Sequence, residues 1–248
     1  MSIKKVLVSQ PKPTSEKSPY FDIANKYGVE IVFRPFIKVE GLTSKEFRQQ
    51  KISILEHTAI IFTAKTSIDH FFRLAEEMRL EIPDTMKYFC VSETVAHYLQ
   101  KYIVYRKRKI FHTESNRVED LIPILEKHKK ETFMLPVSDV HSLKEAVLDN
   151  VDIKVTRAIM YRTISNDFSK DEPFDFDTLI FFTPAGIKSL IKNFPDFKQG
   201  DIKIGCMGNS TKKAIEEAGL RLDFEPTTDC PSITGALENI IKKELKKK

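Results

Sequence analysis

The apolar residues of the chain fall into short continuous runs, separated by longer stretches in which they recur every three or four positions. The runs at 5–9, 59–63, 87–91, 132–135, 179–182 and 203–207 have the pattern of strands buried on both faces. Residues 29–36 alternate like a strand, 152–161 form a longer polar–apolar strand, and 221–225 add a short one. Between them a helical period predicts helices over 18–27, 44–55, 67–79, 95–101, 118–129, 142–149, 186–194, 210–218 and 232–243. Gly28 and Gly219 stand where C-caps are expected, and Ser44 stands near an N-cap. Strands alternating with helices imply parallel sheets covered by helices on both faces.

The alternation repeats. Ile60-Ile61-Phe62-Thr63 plus helix, then Phe89-Cys90-Val91-Ser92-Glu93 plus helix, matches Ile180-Phe181-Phe182-Thr183 plus helix, then Ile204-Gly205-Cys206-Met207-Gly208 plus helix. The offset is about 116–120 residues, long enough for one domain of ordinary size. None of the 8 glycines falls between Gly41 and Gly186, so the middle of the chain differs in composition from its end. These features predict an α/β protein of two similar parallel-sheet (flavodoxin-like) domains, the middle one inserted into the outer one. The outer domain is expected at 1–36 and 164–248 and the inserted one at 37–163. Strands near 33–39 and 157–163 would form a two-stranded antiparallel linker.

Composition narrows the function. Of 248 residues, 41% are hydrophobic and 30% charged, as in a soluble globular protein. No apolar run approaches a bilayer span, and the first residues look like a strand rather than a signal peptide, so a cytoplasmic location is expected. Cys90, Cys206 and Cys230 are scattered, which suits a reducing compartment and offers no metal spacing. The net charge of +5 owes much to the lysine-rich tail, which a helix C-terminus favours. Arg106-Lys107-Arg108-Lys109, flanked by Tyr98, Tyr102, Tyr105 and Phe111, is the other basic cluster. It reads as a solvated loop or a lysine-blunted edge strand rather than a nucleic-acid surface. No GxGxxG or phosphate loop is present, which ranks a nucleotide- or sugar-binding enzyme low.

Five short motifs, in order, resemble those of the uroporphyrinogen-III synthase family. They are Val6-Leu7-Val8-Ser9-Gln10-Pro11, Phe62-Thr63-Ala64-Lys65-Thr66-Ser67-Ile68, Met160-Tyr161-Arg162-Thr163, Phe181-Phe182-Thr183-Pro184-Ala185-Gly186 and Met207-Gly208-Asn209-Ser210-Thr211. Each alone is a small-residue turn or strand end; together they span nearly the whole chain. The resemblance implies an enzyme that cyclises hydroxymethylbilane with loss of water and inversion of ring D, giving uroporphyrinogen III for haem biosynthesis. It implies no cofactor or metal, and a substrate that is a linear tetrapyrrole with eight carboxylates. The chain's own residues predict no nucleic-acid or membrane partner, and two domains on a two-strand hinge predict a monomer.

Such a substrate is primed to lose its hydroxyl, so the protein need mainly hold the two chain ends together. Backbone N–H groups at helix N-termini bind carboxylates well, and ligands of open α/β sheets collect at strand C-termini. On that basis the resemblance implies substrate contacts at Thr63, Lys65, Thr66, Ser92, Ser138, Thr183, Ala185, Gly186, Asn209, Ser210 and Thr211. Gly186 is expected to leave backbone open to the substrate. Tyr161 matches a family tyrosine and is the candidate proton donor to the leaving hydroxyl; the alternative is a packing tyrosine. Thr211 is either a substrate contact or a helix-start hydroxyl that only caps. Ser9-Gln10 stands where the family has Thr-Arg, and Leu135-Pro136 is followed by neither Gly nor Arg. Arg34, Lys38, Lys65, Arg157 and Arg162 are candidates to supply the missing positive charge, whereas His141 reads as a polar helix-start residue. A non-catalytic homologue that binds a tetrapyrrole or another acidic ligand as a regulatory module is the alternative function.

Overall fold

A computed structural model describes residues 3–139, 146–169 and 173–246. Its contacts divide the chain into two compact units, one combining Met1–Lys38 with Ile164–Lys248 and one formed by Val39–Thr163.

The first unit contains β1 (Lys5–Val8), α1 (Pro19–Tyr27), β2 (Glu30–Phe33) and the start of β3 (Ile37–Gly41). The second continues from β3 with α2 (Ser44–Arg48), β4 (Ala59–Phe62), α3 (Lys65–Glu77), β5 (Lys87–Cys90) and α4 (Glu93–Tyr98). It goes on through β6 (Ile110–His112), α5 (Ile122–Lys127), β7 (Thr132–Ser138) and β8 (Lys154–Ser165). The chain then returns to the first unit for β9 (Thr178–Phe181), α6 (Pro184–Asn193), β10 (Lys203–Cys206), α7 (Asn209–Glu217) and α8 (Ile233–Leu245).

The first sheet has the order β10-β9-β1-β2, all parallel, and a parallel bridge from Gly205 to Phe224 extends it by one position. Side chains alternate across it. Val6, Val8 and Ile180 enter a core with Ile23, Leu237 and Ile241, while Leu7, Leu179 and Phe181 enter another with Ile187, Leu190 and Ile215. Both faces are therefore buried, which is why β1 and β9 read as unbroken apolar runs. The second sheet has the order β3-β8-β7-β4-β5-β6, with the pairs from β8 to β6 parallel. Counted from β4, the strands β6-β5-β4-β7-β8 follow the same spatial order as Phe224-β10-β9-β1-β2 counted from β9. The two sheets are circular permutants of one topology, and the sequence repeat at 116–120 residues aligns β4 with β9 and β5 with β10.

Several expected elements differ in detail. The strand expected over 29–36 ends at Phe33, because Pro35 has no N–H to continue a ladder, and the chain resumes as β3. The helix expected over 44–55 stops at Arg48. Lys51 takes a left-handed φ of 56°, and the Gln50 amide donates to Ile159 O at 2.7 Å and accepts from Ile159 N at 2.9 Å, tying the segment to β8. A capping box between Thr43 and Glu46 starts α2 at Ser44, the expected first residue, with Thr43 as the N-cap. The basic run leads into β6, a short edge strand. The expected strand 221–225 is reduced to the Phe224 bridge, and the region expected as a helix over 142–149 is described only from Ala146, where it forms a 3-10 turn to Asn150. His141 lies outside the described residues.

Candidate functional site

Parallel strands bring their C-terminal ends to one edge of each sheet, so the site residues gather by topology rather than by sequence proximity. In the second unit that edge carries Thr63 after β4, Ser92 after β5 and Ser138 at the end of β7. Tyr161 of β8 is in register with Ser138, across a bulge at Val137/Ser138. In the first unit Thr183 after β9 and Asn209–Thr211 after β10 occupy the corresponding edge.

The helix starts differ in what they leave available. Helix α3 begins at Ala64 with no side-chain cap, and the Ser67 hydroxyl donates to Ala64 O at 2.7 Å. Its first-turn N–H groups at Lys65 and Thr66 therefore face outward on a positive helix end. Lys65 is exposed, and its ammonium lies 5.3 Å from the Tyr98 ring centre. Ser92 instead caps α4, its oxygen accepting from Val95 N at 3.4 Å. Ser138 donates to the Asp139 carboxylate at 2.9 Å, and that carboxylate also accepts from Thr163 N at 3.1 Å.

At β9 the cap is closed. Gly186 N donates to Thr183 O at 3.0 Å and approaches Thr183 Oγ1 at 3.2 Å, and Pro184 has no N–H. A Cβ on Gly186 would lie 3.2 Å from the Phe181 ring. Gly186 is thus a buried packing position and not open backbone, which corrects the expectation above; Ala185 supplies the available N–H of this turn. At β10, Gly208 takes φ 92°, a conformation that needs glycine, and accepts from Thr211 N and Lys212 N, each at 3.1 Å. Asn209 and Ser210 are exposed, whereas Thr211 is fully buried and its hydroxyl has no hydrogen-bond partner among the described residues.

Tyr161 is half-buried and lies flat on the His70 imidazole of α3, with ring centres 5.0 Å apart and planes 19° apart. Burial first, and then the neighbouring Arg73, lower the His70 pKa below its ordinary value against the opposing pull of Asp69. The imidazole against Tyr161 is therefore neutral at pH 7. Arg73 is fixed by Leu42 O at 2.5 Å and Glu77 at 2.8 Å. Gly41 is packed so closely that a Cβ there would meet Arg73 at 2.6 Å and His70 at 2.7 Å. His70, Arg73 and Asp139 are neighbours of the site that the motifs did not indicate. The spacing of His70 and Arg73 along one helix face was visible, but their approach to a strand some ninety residues later was not.

The expected positive charge is largely committed elsewhere. Arg162 is bound by Glu40 at 2.6 Å and Glu46 at 2.8 Å, Arg157 pairs with Asp149 at 2.6 Å, and Arg34 covers the Phe168 ring at 4.0 Å. Lys38 and Lys65 are exposed. No group of three His, Cys, Asp or Glu among the described residues is placed to hold a metal ion, and no described helix is long and apolar enough to cross a membrane. Burial pushes the Cys90 thiol up to about 12 and the Cys206 thiol up to about 11, so neither supplies a thiolate at neutral pH.

Two parallel α/β sheets of permuted topology, with hydroxyl-lined helix starts at their C-terminal edges, define the class. The family profile described as uroporphyrinogen-III synthase HemD matches residues 20–232, and the chain belongs to that family. Among solved structures, uroporphyrinogen-III synthetase from Helicobacter pylori is similar with a TM-score of 0.61 at 15% identity, covering 97% of this chain and 100% of that one. A mutant uroporphyrinogen III synthase from Thermus thermophilus has a TM-score of 0.50 at 15% identity, covering 99% and 100%. At that identity these likenesses speak for the fold alone. No curated protein sequence matches the chain.

Proposed function

We propose that the protein is a uroporphyrinogen-III synthase acting on hydroxymethylbilane as a monomer. The observation that carries this is the pair of sheet edges lined by helix-start N–H groups and hydroxyls, in a chain whose family is established. In the reaction the C–O bond of the hydroxymethyl group on ring A breaks as the pyrrole nitrogen lone pair pushes out hydroxide. The resulting electrophilic carbon bonds to the bridged α-carbon of ring D. The old bond from that carbon to its bridge breaks and re-forms at the free α-carbon, which loses its proton, so that ring D is inverted and one water is lost overall. The N–H groups of Lys65, Thr66 and Ala185, with the Asn209–Ser210 turn, bind propionate and acetate carboxylates and fix the conformation. The Tyr161 phenol, protonated at pH 7 in its ordinary state, donates to the departing hydroxyl.

The test is to supply hydroxymethylbilane and measure the ratio of isomer III to isomer I, which forms by uncatalysed closure. An enzyme yields predominantly isomer III; a chain that leaves only isomer I is not a synthase. A non-catalytic binder of an acidic ligand is favoured by one feature. Arg157 and Arg162 are already paired, leaving fewer free cations for eight carboxylates. For such a binder the bilane would raise thermal stability while the isomer ratio stayed at the uncatalysed value.

A further inference from the structure

The second unit contains a pocket of about 230 Å³ at the opposite end of its sheet from the candidate site, lined in part by Met86, Tyr88, Ile103, Arg106, Lys109 and Ile110. Tyr88 lies near the start of β5, and Ser92 follows the end of that strand. The pocket and the Ser92 turn are thus separated by roughly 13 Å of extended chain. The walls are preorganised by hydrogen-bonded turns: Met86 N to Pro83 O at 2.9 Å, Lys109 N to Arg106 O at 2.9 Å, and Ile103 N to Leu99 O at 3.0 Å.

Three independent features mark it as a binding site. Tyr88 is 4% exposed and lines the pocket, and its hydroxyl makes no hydrogen bond to a described residue yet is not sealed from solvent. Burial first, and then the Asp84 carboxylate at the rim, push its pKa above the ordinary phenol value and keep it protonated. Val104, which also lines the pocket, is 76% exposed, more than any other large hydrophobic residue described. The charge at the mouth is positive. Of the charged groups that line it, Asp84 pairs with Arg106 at 3.3 Å, while Lys109 has no acidic partner among the described residues.

A phenol hydroxyl that solvent reaches and that no protein group accepts from is a free donor for a ligand acceptor. An exposed valine beside apolar walls calls for an apolar body, and the unmatched lysine calls for an anion. The volume lies below the range of sites for drug-sized ligands, so the ligand is small. We propose that this pocket binds a small amphipathic monocarboxylate. Its apolar body rests on Met86, Ile103 and Ile110, and its carboxylate accepts from the Tyr88 hydroxyl and the Lys109 ammonium.

The probe is 3-phenylpropionate, with 3-phenylpropanamide as the neutral control, titrated into the full-length protein carrying methyl-labelled methionine. The Met86 methyl resonance should shift saturably at millimolar acid, and the amide should bind at least about 10-fold more weakly. Tyr88→Phe should weaken the acid about 5-fold or more without loss of fold, because the hydroxyl it removes is unpartnered. Lys109→Gln, a change at the surface, should weaken the acid and leave the amide unaffected. The proposal is overturned by a Met86 resonance that does not saturate, by equal binding of acid and amide, or by a Tyr88→Phe variant that binds the acid as the parent does. None of these results bears on bilane turnover, which is read separately.

Discussion

Replacing Tyr161 by phenylalanine removes one oxygen and leaves the ring that lies 5.0 Å from the His70 imidazole. Since the ring and its stacking partner survive, the fold should lose no more than the net worth of one hydrogen bond, about 0.5–1.5 kcal/mol. The effect on turnover is larger if the hydroxyl assists the leaving group. A hydrogen bond to developing charge in a dry site is worth about 1–3 kcal/mol, so the rate should fall about 5- to 150-fold. The assay is anaerobic conversion of hydroxymethylbilane, followed by oxidation and chromatographic separation of the two porphyrin isomers. Under the proposed function the surviving product should still be isomer III, with ring D turned by the walls of the site rather than by the phenol. His70→Ala serves as the companion variant. It frees the ring from its stack, so it should slow turnover while also lowering stability, which Tyr161→Phe should barely change. Complete loss of activity in a folded Tyr161→Phe protein would refute this reasoning and make the phenol an indispensable acid.

Two further outcomes are expected. Gly205→Ala would place a Cβ 2.3 Å from the Phe224 ring, so it should destabilise the protein by about 1–3 kcal/mol in chemical denaturation; a second change, Phe224→Leu, should recover part of the loss. Glu238 accepts from Lys26 at 2.8 Å, Tyr27 at 2.6 Å and Lys242 at 3.1 Å, which hold its carboxyl down to about 2 from an ordinary 4.5. Its folded pKa is depressed, so its contribution is present above pH 4.5 and is lost as pH falls toward 2. The denaturation midpoint should therefore drop less steeply across that window in Glu238→Gln, and equal slopes would show that the α1–α8 tie does not matter.

Much of the fold was legible because its strands are buried on both faces. Unbroken runs such as Ile60–Phe62 and Leu179–Phe181 have no polar phase to confuse them, and the small-residue turns after them fall at fixed points. What was not legible depends on contacts distant in sequence. The end of α2 is set by Gln50 reaching β8, and no local propensity announces that. The alternation from Arg221 to Glu225 suggested a strand, yet the Asp223 carboxylate takes Ile204 N at 2.9 Å and one bridge at Phe224 replaces the ladder. Gly186 was read from the need for open backbone, yet its glycine answers to the Phe181 ring beneath it. The hydroxyl and helix-start residues were found from their turns; the His70 stack and the Asp139 carboxylate beside them required the sheet to be built.

The permuted order of the first sheet also fixes a timetable for synthesis. Its central pairing, β1 with β9, includes the amide of Lys5 bonded to Asp177 across 172 residues, whereas every strand from β4 to β8 lies within one continuous segment. At about 5–20 residues per second, β1 waits on the order of 10 s for β9 to emerge from the ribosome. By the end of that interval the continuous unit has all its parallel partners, whereas the apolar β1 still has only β2 on one side. The nascent chain thus carries an open, hydrophobic strand edge until Thr178 and the rest of β9 have been made, and that interval is when a chaperone has most to protect.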